Sequence, residues 1–299
     1  MKKMLFLLNP KSGMGSGKDQ IYMLISYFSV NDYEVTVCPI IPERNLTSEG
    51  YMEDAKGRFD AVVCYGGDGT LNHVINGYMQ HELDVPIGYF PAGSTNDFAK
   101  SIGLMDGVLE NAQTIVDGNV FRYDIGSFND VYFNYVAAFG AFTEVAYDTS
   151  QSFKNAIGHA AYLLRGVQSL PDAIMQNCVF TIEHDGQVSS DDYIFGAVSN
   201  STSVGGFRMP HDERIKLDDG MFEITLIKVP ESILDIQRIL GKLMSGDMED
   251  DYIEVFQTSE VTFKAQKEIP WTLDGEYGGS PKEVNIRLRP EAIPIFAPK

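Results

Sequence analysis

Three short stretches of the 299-residue chain set glycines beside hydroxyls, amides and carboxylates. They are Asn9-Pro10-Lys11-Ser12-Gly13-Met14-Gly15-Ser16-Gly17, Gly66-Gly67-Asp68-Gly69-Thr70-Leu71-Asn72 and Ala92-Gly93-Ser94-Thr95-Asn96-Asp97. Glycine lets backbone come close to a ligand, and the N–H groups that open a helix favour an anion. The middle stretch adds a carboxylate, Asp68, that can serve Mg2+ or its waters. Relief of backbone strain accounts for one such loop as well as phosphate does, but three on one domain point to a nucleotide. Neither common nucleotide motif fits. Ser12 stands where a P-loop ending in Gly17-Lys18 needs glycine, Asp19 replaces its Ser or Thr, and Lys18 takes the third glycine position of the dinucleotide fingerprint.

Each loop follows an apolar run and opens a segment of helical period. Residues 4–8, 35–40, 61–65 and 86–90 read as strands, while Ile21, Leu24, Ile25, Phe28 and Leu71, Val74, Ile75, Tyr78 recur at i, i+3, i+4, i+7. This alternation predicts βαβ units around a parallel sheet, with ligands beyond the carboxyl ends of the strands. From about Phe121 the texture changes to closely spaced β-rich runs at 131–136, 179–183, 193–199, 221–229, 252–256, 261–264 and 284–288. Asp185-Gly186 between two of them is a hairpin signal, and helical patterns at 154–170 and 233–244 interrupt the series. The predicted architecture is α/β in two domains: a three-layer N-terminal α/β domain with a parallel sheet over 1–125, and a mostly antiparallel β-sandwich over 126–299. The last residues have room to pack back on the first domain.

Gly66-Gly67-Asp68-Gly69-Thr70 is similar to the signature shared by the NAD-kinase and diacylglycerol-kinase superfamily. Asn9-Pro10-Lys11-Ser12-Gly13 and Pro91-Ala92-Gly93-Ser94-Thr95-Asn96-Asp97-Phe98-Ala99 resemble the loops of its lipid-kinase branch. The likeness to bacterial soluble diacylglycerol kinases runs along nearly the whole chain. It implies a kinase that moves the γ-phosphate of ATP to a lipid hydroxyl in the cleft between the domains, with diacylglycerol, giving phosphatidic acid, as first choice of acceptor.

By that resemblance Asn9, Pro10, Lys11, Ser12, Gly13, Gly66, Gly67, Asp68, Gly69, Thr70, Leu71, Asn72, Ser94 and Thr95 hold ATP. Asp68, Asp97 and Asp124 form an acidic network linked to Mg2+. The plainer alternative makes Asp97 only a helix N-cap and Asp124 only a turn residue. Glu276, in Asp274-Gly275-Glu276, matches the family's general base. A lipid alcohol is a poor nucleophile, so its proton must be accepted while the phosphoryl group is held in line. Alone, that triplet reads as a hairpin. Lys216-Leu217-Asp218-Asp219-Gly220-Met221 resembles a structural metal loop, in which Asp219 gives a carboxylate and Lys216 and Met221 give carbonyls to a second Mg2+. An acidic turn before a strand is its plain reading. His73 departs from the family, which usually carries an acidic residue there. NAD kinase shares the 66–70 signature, although residues 91–99 argue against it; a non-catalytic nucleotide or lipid sensor would have no use for Glu276. A homodimer is implied by resemblance alone.

Composition narrows partners and place. Lys and Arg total 23 against 42 Asp and Glu, a formal charge of −19. A surface this acidic repels nucleic acid and anionic membrane alike, so membrane contact is expected to be local and transient. Residues 151–171 hold no acidic side chain but carry Lys154 and Arg165 on a helical pattern. That segment either borders the acceptor cleft and touches anionic lipid, or is an ordinary amphipathic helix packed on a sheet. Cys38, Cys64 and Cys178 read as reduced core thiols, which favours the cytosol. No run approaches the roughly 18 apolar residues of a membrane span. The apolar start ends at Asn9-Pro10 without a small-residue cleavage site, so it reads as a strand. The histidines lack metal-ligand spacing, and no Gly-x-Ser-x-Gly or Cys/His arrangement suggests a hydrolase. The expected location is cytoplasmic, peripheral and transient at the inner membrane surface.

Overall fold

A computed structural model describes residues 1–12, 17–93, 96–104, 107–140, 178–204, 207–208, 215–245 and 247–298. Gly13, Ser94, Thr95 and the helical pattern at 154–170 lie outside them. The chain divides into two compact units, Met1–Ile125 with Pro290–Lys299, and Gly126–Arg289. The end of the chain belongs to the first unit. Among the described residues no helix is long and apolar enough to cross a membrane.

In the first unit β1 (Lys2–Leu8), β2 (Tyr33–Pro39), β3 (Ala61–Gly66) and β4 (Ile87–Pro91) pair in parallel in the order β2-β1-β3-β4, and the end of the C-terminal strand joins β4 through Ile295 and Ile87. A parallel sheet needs cover on both faces. Leu24 and Phe28 of α1 (Gly17–Val30) and Ala112 and Ile115 of α5 (Val108–Asp117) pack with Met4, Phe6, Val63 and Phe90. Separately, α2 (Ser48–Ala55) packs on α3 (Asp68–Gln80), where a Cβ on Gly77 would stand 3.0 Å from the Cα of Glu49. Leu71, Val74, Ile75 and Tyr78 of α3 are all buried. Leaving water stabilises by about 1.5–3 kcal/mol for each large apolar side chain. The strand order reverses between β1 and β3, so the chain leaves these neighbouring strands in opposite directions. That is where open α/β sheets bind ligands. The short α4 (Asp97–Ser101) follows β4.

β5 (Val120–Phe128) runs from the first unit into the second. The second unit continues with β6 (Val131–Phe133), β7 (Val136–Gly140), β8 (Cys178–His184), β9 (Gln187–Ser199), the short pair β10 (Ser203–Val204) and β11 (Phe207–Arg208), and β12 (Phe222–Lys228). After α6 (Ile233–Ser245) come β13 (Ile253–Thr258), β14 (Glu260–Ala265), β15 (Trp271–Leu273), β16 (Glu276–Tyr277) and β17 (Glu283–Phe296). The order β16-β15-β7-β9-β8-β14-β17 is antiparallel at every step, and β12 and β13 branch from β9. The first half of β9 pairs with β8 and the second half with β7 and β12, giving the antiparallel β-sandwich. Phe139, Phe180, Phe263 and Trp271 fill its core with ring centroids 4.5–6.2 Å apart. Asp185 (φ 47°) and Gly186 (φ 75°) make the expected hairpin turn between β8 and β9.

The structure departs from the sequence reading in four places. The run expected at 131–136 is two strands, broken at Asn134 and Tyr135. β9 starts six residues earlier than the apolar run at 193, because Ser189, Ser190, Asp191 and Asp192 line a partly solvated half-strand. Asp124 lies inside β5 rather than in a turn. Of the three cysteines, all free, Cys64 and Cys178 are buried but Cys38 is only partly so.

Candidate active site

The loops after β1, β3 and β4 are tied together in the first unit. The Asn9 N–H donates to the carbonyl of Tyr65 at 3.0 Å, and its side-chain amide donates to Thr70 Oγ1 at 2.8 Å. The Asn9 Oδ1 accepts from the Lys11 N–H at 3.0 Å, and Ser12 closes the turn on the Asn9 carbonyl. Pro10 and Lys11 are exposed, and Lys11 Nζ meets Glu43 at 2.7 Å. A Cβ on Gly66 would fall 2.6 Å from Thr70, and one on Gly93 would fall 2.8 Å from the Cα of Gly67. Glycine is thus required where the two loops meet backbone to backbone. The Ala92 N–H to Gly66 carbonyl bond, 2.8 Å, closes that contact.

Gly67 caps α3, and the first intrahelical bond is Leu71 N–H to the Gly67 carbonyl. The first-turn amides of Gly69 and Thr70 therefore have no acceptor inside the helix and can meet an anion. Leu71 itself turns its side chain into the core at 0% exposure. Asn72 stays on the helix surface with its carbonyl and Oδ1 both accepting from Asn76. His73 is exposed, with Nδ1 3.3 Å from Glu49.

Asp68 is half-buried and held from two sides: its Oδ2 accepts the Asp97 N–H at 3.1 Å and its Oδ1 accepts the Tyr89 hydroxyl at 3.4 Å. Asp97 is 1% exposed and is the first residue of α4, so the N-cap position falls to Asn96, whose φ is 52° and whose side chain clasps both the N–H and the carbonyl of Gly93. Lys100 Nζ lies 3.8 Å from Asp97. This carboxylate pair leaves its mark on its neighbours. Burial, then the Asp68 charge, pushes the Cys64 thiol up; burial, then Asp68, Cys64 and Asp97, pushes the Tyr89 hydroxyl well above its ordinary range. Both groups stay neutral, chiefly because they are buried. Asp124 is fully buried and its Oδ1 accepts the Glu291 N–H at 2.7 Å, so it holds the β17 backbone at Glu291, whose φ is 48°.

Glu276 and the 216–221 loop belong to the second unit. Glu276 is exposed at the start of β16, directly after the two-residue turn of Asp274 (φ 52°) and Gly275 (φ 87°), so the hairpin reading of the triplet holds while its Glu is left in the open. Lys216 and Asp219 are exposed, and Asp219 Oδ1 accepts the Met221 N–H at 3.1 Å in a local turn. Two residues on, Glu223 Oε2 is buried without a hydrogen-bond partner. Burial first, with Asp219 adding to it, pushes the Glu223 carboxyl up to about 7. The orphaned Glu223 oxygen and the exposed Asp219, whose charge it feels, are hard donors of the kind a hard cation takes. Among the described residues no three His, Cys, Asp or Glu side chains form a ready cage. Sequence reasoning passed over Tyr89, which lies in an apolar strand and gives no signal of its hydroxyl's role. It passed over Asn96 too, although that residue stands within the quoted loop.

The family model described as the diacylglycerol kinase catalytic domain matches residues 3–128, and the YegS C-terminal NAD kinase beta sandwich-like domain matches residues 137–297. A diacylglycerol kinase of Bacillus subtilis (strain 168) is 30% identical over 93% of this chain and 91% of its own. One from Staphylococcus carnosus (strain TM300) is 31% identical over 100% and 96%. The crystal structure of a diacylglycerol kinase from Bacillus anthracis superposes with a TM-score of 0.75 at 21% identity, covering 99% of this chain and 97% of that one, which bears on the fold alone. Two domain models end to end and relatives of matching length leave one assignment: the chain belongs to the diacylglycerol kinase family.

Proposed function

We propose that the protein transfers the γ-phosphate of ATP to a lipid hydroxyl, with diacylglycerol the first acceptor to test. The observation that carries this reading is the junction of the loops after β3 and β4, where Asp68 and Asp97 sit beside bare glycine backbone and the open first turn of α3. Two carboxylates suit Mg2+, which takes few protein ligands and fills its remaining positions with water and phosphate oxygens. Bound there, the ion would neutralise charge on the transferring phosphoryl group. The α3 amides and the Asn9 loop hold the phosphates in line, and Glu276 accepts the proton that the lipid hydroxyl loses. A second Mg2+ at Asp219 and the Lys216 and Met221 carbonyls would stabilise the fold rather than take part in transfer. Anionic-membrane contact through Lys154 and Arg165, and a homodimer, belong to the same reading.

The test is γ-labelled ATP against a panel of detergent-dispersed lipids, with Asp68→Asn and Glu276→Gln beside the parent protein. Both variants should lose transfer, while Glu276→Gln keeps ATP affinity by calorimetry, because a base acts on the acceptor and not on the nucleotide. Turnover of Glu276→Gln within about tenfold of the parent, a barrier change of ~1.4 kcal/mol, would remove Glu276 as the base. Label entering NAD and no lipid would overturn the acceptor class.

A further inference from the structure

The turn that presents Glu276 is fastened by its own first residue. Asp274 is 4% exposed, yet its carboxylate takes three backbone N–H groups in a row: Oδ2 accepts from Asn134 at 2.6 Å, and Oδ1 accepts from Tyr135 at 2.9 Å and Val136 at 3.1 Å. The Asp274 N–H donates in turn to the Val136 carbonyl at 2.8 Å. These donors lie where β6 gives way to β7, and Asn134, Tyr135 and Val136 are themselves buried. A buried N–H needs an acceptor, and here the acceptor is an ionised carboxylate, which makes such bonds short and strong. Three converging donors need two acceptor oxygens. An asparagine would set an NH2 against at least one N–H.

Beyond that clamp the chain has little freedom. Gly275 completes the turn, Leu273 pairs with Glu276 and Thr272 with Tyr277, and the next bonds, Gly278 N–H to the Trp271 carbonyl and Trp271 N–H to the Gly279 carbonyl, hold the far side. Leu273 in turn pairs with Ala137 on β7. Glu276 is therefore two residues from a buried anchor and on the exposed side of it. We propose that Asp274 is a positioning residue for Glu276: its carboxylate locks the β15–β16 turn onto the 134–136 backbone and so fixes where the Glu276 carboxylate stands. The proposal rests on Glu276 being the acceptor base.

Asp274→Asn and Gly275→Ala test it. The second variant leaves the clamp in place but puts a Cβ on a residue of φ 87°, in open space, so it tilts the Glu276 corner without touching the core. ATP-binding sites are counted by calorimetry, and kcat per site is measured with a short-chain diacylglycerol in detergent micelles, well below the melting transition. Each variant should lose about ten- to a hundredfold in kcat per ATP-binding site, the scale expected for a reacting group displaced by an ångström, with the KM for ATP within about twofold of the parent. A residue that merely stabilised the fold would lower the number of binding sites and leave kcat per site unchanged, and that result in both variants overturns the proposal. Should Asp274→Asn fail to fold, Asp274→Glu, which keeps the charge and both acceptor oxygens but lengthens the tether to the 134–136 backbone, takes its place with the same two outcomes. The base assignment fails separately, by an active Glu276→Gln.

Discussion

Glu223 gives the second unit a stability that should depend on pH in a direction opposite to most carboxylates. Its carboxyl is pushed from 4.5 up to about 7, first by burial and further by Asp219, against a hydrogen bond from Gln257 that favours the charged form. Below the unfolded value both states hold the proton and the group has no effect. As pH rises from 4.5 the unfolded chain releases its proton first, so stability falls, and the whole penalty is in place above about 7. For a fully buried group a shift of this size corresponds to about 3 kcal/mol; partial exposure screens it to roughly 1–2 kcal/mol. Glu223→Gln keeps the size and the acceptor for Gln257 but has no proton to lose. In a chelating buffer the melting temperature of Glu223→Gln minus that of the parent should therefore climb by roughly 2–6 °C between pH 5 and pH 8. The unpaired amide left in place of Oε2 offsets both ends equally, so the slope carries the information. Parallel curves across that range would show that Glu223 is as easily ionised as a surface glutamate, and the burial argument would fail.

Two further perturbations probe the first unit and the loop beside Glu223. Gly93→Ala drives a Cβ to 2.8 Å from the Gly67 Cα and 2.9 Å from Asn96 Oδ1, neither of which can give way cheaply. It should cost about 1–3 kcal/mol in thermal unfolding and weaken ATP in a calorimetric titration; unchanged ATP affinity would mean the loop junction is not part of the nucleotide site. Asp219→Ala should lose most of the rise in melting temperature that Mg2+ gives without nucleotide, since a bound ion favours the folded state by mass action. A full Mg2+ response in that variant would leave the 216–221 segment as a plain acidic turn.

The parallel half of the molecule was legible because a strand covered on both faces is apolar at every position, as β3 is, and because α3 repeats its buried residues at helical spacing. The antiparallel half was legible wherever its strands are apolar enough to stand out, and the polar start of β9 was lost for the opposite reason. β5 escaped notice because Arg122, Asp124 and Ser127 break its apolar run; Arg122 and Asp124 hold the 291 backbone from the side, and Ser127 donates to the carbonyl of Arg287. At the candidate site the glycine-rich loops announced themselves, but the identity of the residues that orient them did not. Tyr89 reads as one more core aromatic, and nothing in its spacing tells that its hydroxyl ends on Asp68.

Asp274 and Glu276 make the same point inside three residues. Both are acidic, both flank one glycine, and composition or spacing gives no reason to send one inward and the other outward. The difference arises 140 residues upstream, where β6 and β7 fail to join and leave consecutive buried N–H groups that need an anion. Apolar periodicity reports which side chains leave water; it is silent on which backbone donors lose their partners when they do. A local acidic triplet therefore splits into two separate settings, a buried anchor and an exposed carboxylate, only once the distant strand break is known. That dependence is why Asp274→Asn, a change of one atom, is expected to be felt at Glu276.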